Sequence, residues 1–108
     1  MTDRELIDNV RAGDSQAFEQ LVKRYESQVA ATVIGMLGSC QEADDVGQEV
    51  FIRFYKAIHQ FREEARLGTY LTRIAINLSL NELKRRKRRH LLFKRPEKVK
   101  PMMNPDDS

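Results

Sequence analysis

Tryptophan is absent from this chain, and cysteine occurs once, at Cys40. One thiol cannot close an intramolecular disulfide or build a multi-cysteine metal cluster. The three prolines are confined to the end, at Pro96, Pro101 and Pro105. No apolar run approaches the roughly 18 residues that a membrane span needs, and Met1-Thr2-Asp3-Arg4-Glu5 does not read as a signal peptide. A reducing, cytoplasmic setting without membrane insertion is therefore expected. The 108 residues, 41% hydrophobic and 32% charged, suffice for one small helix-prone domain. They are too apolar in their first four-fifths to stay disordered.

Charge of one sign is also scarce where it would matter. Residues 1–83 carry 9 Lys/Arg against 13 Asp/Glu, whereas residues 84–108 carry 10 against 3. The net charge of +3 thus hides a mildly acidic body and a strongly basic end. That division suggests a polyanion at one end and a different partner at the other.

Periodicity predicts about four helices and no strand. Thr2 with Glu5 forms a capping box, Leu6, Ile7 and Val10 make one apolar face, and Gly13 is a stop. Asp14 can cap a long second helix with Phe18, Leu21, Val22, Tyr25, Val29 and Val33 on one stripe, weakening at Gly35 and ending at Gly38. Ser39 through Glu42 has the spacing of a second capping box. Glu42, Asp44 and Asp45 then suit a helix start, and Val46, Val50, Phe54, Ala57, Ile58 and Phe61 form its buried stripe, widened by Phe51 and Tyr55. From Arg62 to Gly68 the period is lost in a charged loop. Thr69 is expected to cap a fourth helix with Tyr70, Leu71, Ile74, Ala75 and Leu78 inward and Leu80 and Leu83 extending that surface. Pro96 should end it. The fold expected is all-α: a compact bundle of about four helices over residues 1–95, with a basic C-terminal helix end and a Pro-containing linker or tail over 96–108.

Catalytic chemistry finds little support. His59 and His90 have no zinc-type spacing, and no glycine-rich phosphate loop or serine-nucleophile signature is present. Asp44, Asp45 and Glu49 read better as solvated helix-start carboxylates than as a metal site. Cys40, near a helix N-terminus, has no base or second thiol nearby in sequence. Neither an enzyme nor a bound cofactor is expected.

Three features remain. On the third helix Asp45, Gln48, Glu49, Ile52, Arg53 and Lys56 recur opposite the buried stripe, either as an ordinary solvated face or as a docking surface. Loop 62–68 (Arg62, Glu63, Glu64, Ala65, Arg66, Leu67, Gly68) lies between Phe61 and Tyr70, either as a connector or as a presented loop. Lys84, Arg85, Arg86, Lys87, Arg88 and Arg89 surround nearly two helical turns. A helix C-terminus accounts for one or two such charges, not six, which favours phosphate binding. About four phosphate contacts on a single strand would give a log–log salt slope near −3. Asn77 and Asn81, one turn apart, carry amides that can pair with base edges.

Together, Glu42-Ala43-Asp44-Asp45-Val46-Gly47-Gln48-Glu49-Val50-Phe51, Phe61-Arg62 and Thr69 through Asn77 resemble region 2 of bacterial RNA polymerase sigma factors, specifically the extracytoplasmic-function (ECF) group. The opening, from Leu6-Ile7 through Gly13-Asp14 to Arg24-Tyr25, is similar to that group too. The resemblance covers about residues 3–89 and implies an all-helical transcription initiation domain. It implies that Asp45, Gln48 and Glu49, with Ile52 and Arg53 beside them, dock on the clamp helices of the largest subunit of core RNA polymerase. It implies that loop 62–68, with Phe61 and Asn77, holds a flipped base of the promoter minus-ten element. Tyr70, Arg73, Asn81, Lys84, Arg85, Arg86 and Arg88 would follow the opened DNA strand, with Phe61 and Tyr70 as stacking candidates. An anti-sigma factor is a further partner that the resemblance allows. The chain departs from the family in having Gly47 where an aliphatic residue is usual, Tyr70 where Trp is common, and Leu67 where an aromatic is common. Nothing after residue 90 fits the family's second, promoter-reading domain, so a fragment or a short relative is expected. The rival reading is a small helical adaptor whose basic end binds RNA or a ribosomal surface. It shares the charge asymmetry but leaves the acidic-amide face, the placed loop and the Thr69-to-Asn77 motif unexplained together.

Overall fold

The computed structural model describes residues 1–62 and 66–98, with side chains to Leu92. Four helices follow in order: α1 (Asp3–Arg11), α2 (Ser15–Leu37), α3 (Gln41–Lys56) and α4 (Leu67–Lys98). No strand occurs among the described residues.

The first two helix starts have local causes. The Thr2 hydroxyl accepts from the Glu5 N–H at 3.1 Å while the Glu5 carboxylate accepts from the Thr2 N–H at 2.8 Å. This closes the expected capping box on α1. The same backbone bond holds the Glu5 carboxyl below its ordinary range. The Asp14 carboxylate accepts from the N–H groups of Gln16 and Ala17 at the start of α2. Gly13 (φ 100°) and Gly38 (φ 84°) sit in the left-handed region that lets the chain leave α1 and α2 sharply.

α2 is the central element, packed against the other three helices, and α3 also packs on α4. Asp3 meets Arg24 and Tyr25, so α1 folds back antiparallel to α2. Gln28 reaches Gly68 and Thr72, whereas Cys40 meets Arg86, so α2 and α4 run parallel. The core draws Leu6 and Ile7 from α1, Leu21, Val29 and Val33 from α2, Val50 and Phe54 from α3, and Leu71 and Ala75 from α4. Burying a side chain such as Phe54 stabilises by roughly 1.5–3 kcal/mol.

Four local expectations are corrected. Ser39 does not cap α3: Cys40 is the N-cap and makes no side-chain cap bond, so the spacing from Ser39 to Glu42 is one residue out of frame. α4 begins at Leu67 rather than after Thr69, because Leu67 is itself buried and the Tyr70 N–H already donates to the Arg66 carbonyl at 3.0 Å. Leu80 does not extend the core but stands 45% exposed. It lies about 140° around the helix from Ala75 at 100° per residue. Finally, α4 continues to Lys98 past Pro96. A proline near a helix end removes one backbone donor and need not stop the turn it sits in. Residues 99–108, including Pro101 and Pro105, lie outside the described residues.

Candidate nucleic-acid interface

The outer face of α3 is assembled as the spacing predicts. Asp45, Gln48, Ile52, Arg53 and Lys56 are exposed, and Glu49 is partly so. The Gln41 amide donates to Asp45 at 3.1 Å, and Arg53 pairs with Glu49 at 3.2 Å, one turn apart. Ile52, 45% exposed, is an apolar point in this polar face. The opposite side carries buried Ala43, Val50 and Phe54, so packing alone forces the charged face outward.

Both ends of loop 62–68 are held by rings. Phe61 and Tyr70 stand 4.8 Å apart edge to face, and each also meets Phe54, at 5.8 and 6.0 Å. This geometry corrects one expectation. Phe61 is only 7% exposed, so it anchors the loop and offers no open face for stacking a base. Arg62 and Arg66 are exposed, Leu67 is buried, and Gly68 has become part of α4. Glu63, Glu64 and Ala65 lie outside the described residues.

Sequence reasoning missed Arg11. From the end of α1 its Nε donates to the Ile58 carbonyl at 2.9 Å and its Nη2 to the Phe61 carbonyl at 2.7 Å. The guanidinium fork therefore ties the last turn after α3 to α1, directly before the loop. No local pattern announces a contact between residues 47 and 50 positions apart.

α4 sorts its polar residues onto two sides. Arg73, Asn77, Lys84, Lys87 and Arg88 are exposed, and their three- and four-residue steps, with Leu80 among them, place them along one outward stripe. Asn77 rises about 10 Å along the axis beyond Tyr70 at 1.5 Å per residue. Asn81, also exposed, instead lines a groove of about 400 Å³ between α3 and α4, with Glu42, Asp45, Glu49, Arg85 and Arg89.

The six-residue basic run does not present its charge evenly. Arg85 and Arg89 pair with Glu82 at 3.1 and 3.5 Å. Arg86 lies 3.9 Å from Glu42 and donates to the Cys40 sulfur at 3.1 Å. Glu42 is held below the ordinary carboxylate range by its backbone hydrogen bond, by the Cys40 thiol and by the charges of Arg86 and Arg89. Lys84, Lys87 and Arg88 meet no carboxylate among the described residues. Glu82 was also missed. Its signal was available, since it continues the stripe of Leu71, Ala75 and Leu78 and is followed by Arg at three and seven residues.

Among the described residues no group of side chains could hold a metal ion, and no helix is long and apolar enough to cross a membrane. The described side chains offer an acidic-amide helix face on α3 and a basic edge on α4.

The family model for Sigma-70 region 2 matches residues 21–89. The chain belongs to the sigma-70 region 2 family. Among its relatives, the RNA polymerase sigma-H factor of Pseudomonas aeruginosa is 40% identical over 87 residues, covering 81% of this chain and 45% of the relative. The ECF RNA polymerase sigma-E factor of Haemophilus influenzae is 40% identical over 89 residues, covering 82% of this chain and 47% of the relative. The ECF RNA polymerase sigma factor SigW of Bacillus subtilis is 36% identical over 84 residues, covering 78% and 45%. This region 2 chain thus spans about half the length of the curated relatives it matches, and its kinship lies with ECF sigma factors. A similar solved structure is the NMR structure of the complex formed by an engineered region 2 of sigmaE with GTAAAA. It has a TM-score of 0.75 and 39% identity, covering 82% of this chain and 93% of that one.

Proposed function

We propose that this domain acts in the cytoplasm as part of a transcription initiation factor. It docks on core RNA polymerase and recognises and helps open the promoter minus-ten element. Asp45, Gln48, Glu49, Ile52 and Arg53 meet the clamp helices of the largest subunit. Loop 62–68 receives a base taken out of the stack, and the outward stripe of α4 follows the displaced strand.

The observation that carries this reading is the separation of the two faces. The acidic-amide face of α3 is exposed, and so are Arg73, Asn77, Lys84, Lys87 and Arg88 on α4. Two partners can therefore be held at once, with the loop between them. The engineered region 2 of sigmaE in complex with GTAAAA adds support, since it shares the fold at 39% identity.

The chemistry needs no bond making. Unstacking a base costs a few kcal/mol, which a pocket that captures it must offset. Basic side chains give sequence-independent attraction, while amide and loop contacts discriminate among bases. Ring packing among Phe54, Phe61 and Tyr70 fixes the residues on either side of the loop.

Replacing Asp45, Gln48 and Glu49 together by Ala tests the docking face. All three side chains lie off the core stripe, so helicity and unfolding midpoint should be retained while affinity for core polymerase falls at least tenfold. Unchanged core affinity would remove α3 from the interface.

A further inference from the structure

Glu82 is the one buried charged residue among the described residues, with its side chain only 5% exposed. It sits where α4 faces α3, on the stripe of Leu71, Ala75 and Leu78, and the function proposed above makes no use of it. A carboxylate withdrawn from water needs fixed counter-charge, and salt screens a buried pair poorly. Arg85, one turn on, and Arg89, two turns on, supply that counter-charge. Glu42, Asp45 and Glu49 line the opposite wall of the same groove and add to the pull on both guanidinium groups.

For either arginine to reach a nucleic-acid phosphate, it must leave a buried anion short of its partner. Lys84, Lys87 and Arg88 face no such penalty. We infer that Glu82 is a positioning residue that withholds Arg85 and Arg89 from phosphates, so that α4 binds a polyanion more weakly, and with a shallower salt dependence, than its run of six basic residues implies. The inference rests on α4 being a nucleic-acid-binding helix. Its consequence is that selectivity from the loop and from Asn77 is not swamped by backbone attraction.

Glu82→Gln keeps the size of the side chain, removes its charge and turns one of its two acceptor oxygens into a donor. The test is the salt dependence of binding by the full chain to a single-stranded DNA oligonucleotide of mixed sequence, followed by fluorescence anisotropy. Each added single-strand phosphate contact contributes roughly −0.7 to the log–log slope. Freeing two arginines should therefore steepen the slope by about 1.4 and tighten binding at low salt. The triple variant Glu82→Gln/Arg85→Gln/Arg89→Gln should return the slope to that of the wild type. A Glu82→Gln slope equal to the wild-type slope overturns the role of Glu82 and leaves the nucleic-acid reading standing. A wild type whose binding ignores salt overturns both. Should Glu82→Gln fail to fold, the reciprocal variant decides with Glu82 intact. Replacing Lys84, Lys87 and Arg88 by Gln should flatten the slope by about 2.1, whereas Arg85→Gln alone should leave it unchanged. A slope that falls equally per charge at Arg85 and at Lys84 overturns the inference.

Discussion

Tyr25 shows how one side chain records the packing around it. Its hydroxyl bonds the Asp3 carboxylate, closing α1 onto α2. Burial first, then that hydrogen bond and the Asp3 charge, push its pKa from 10.0 to about 12. The folded state therefore holds the phenolic proton more tightly than the unfolded chain does. That stabilisation is complete below pH 10 and is lost as pH rises toward about 12. Urea unfolding of wild type and Tyr25→Phe across the alkaline range should show the wild type losing stability faster through this window. Parallel pH profiles would mean that the Asp3 contact does not form. The same scale marks the limit of what sequence reading reached. Thr2 with Glu5 was legible because both partners of a capping box lie within one turn. Arg11 was not, because its acceptors Ile58 and Phe61 become neighbours only after α3 has folded back. Glu82 was hidden for another reason: a carboxylate in a charged stretch looks solvated until its stripe is traced.

At the level of the helices, apolar periodicity located all four elements and most of their inner faces, but Tyr55, expected to widen the buried stripe of α3, and Leu80 are exposed, and two of the starts depended on details of one residue. α3 lacks the side-chain cap that Ser39 was expected to give. Ser39→Ala should accordingly change stability by less than about 0.5 kcal/mol, against roughly 1 kcal/mol for loss of a working cap. A larger loss on denaturant unfolding would restore Ser39 as the cap. Gly47 offers the opposite opportunity inside the same helix. Apart from its chain neighbours and the backbone of its own helix turn, a methyl group there would meet no heavy atom within 4 Å, and Gly in a helix interior costs roughly 0.5–1 kcal/mol relative to Ala. Gly47→Ala should raise the unfolding free energy by about that amount without disturbing the Asp45–Gln48–Glu49 face. A loss of stability would show that α3 needs the glycine for something other than helix formation. The loop anchors belong to this scale too. Phe61 and Tyr70 bracket the loop as the sequence suggested, but the depth at which Phe61 is buried could not be read from spacing.

For the molecule as a whole, the uneven charge distribution becomes a division of surfaces. The acidic body presents α3, and the basic end of α4 splits between arginines paired with Glu82 of α4 or Glu42 of α3 and cations turned outward. Its relatives are ECF sigma factors of which it spans about half, and it belongs to the region 2 family. If those faces work as proposed, affinity and selectivity must come from different residues, because phosphates are alike in every sequence and base edges are not. Asn77 stands alone as an exposed amide on the outward stripe, where a good amide–base pair is worth about 1–3 kcal/mol of discrimination. The decisive measurement is binding to single-stranded oligonucleotides varied at each minus-ten position, at one fixed salt concentration. Wild type, Asn77→Ala and the variant with Lys84, Lys87 and Arg88 changed to Gln are compared. Asn77→Ala should change which base is preferred at one position, and the basic-residue variant should weaken every oligonucleotide by the same factor. Uniform weakening by both variants, with the base-preference profile unchanged, would contradict minus-ten recognition by this domain.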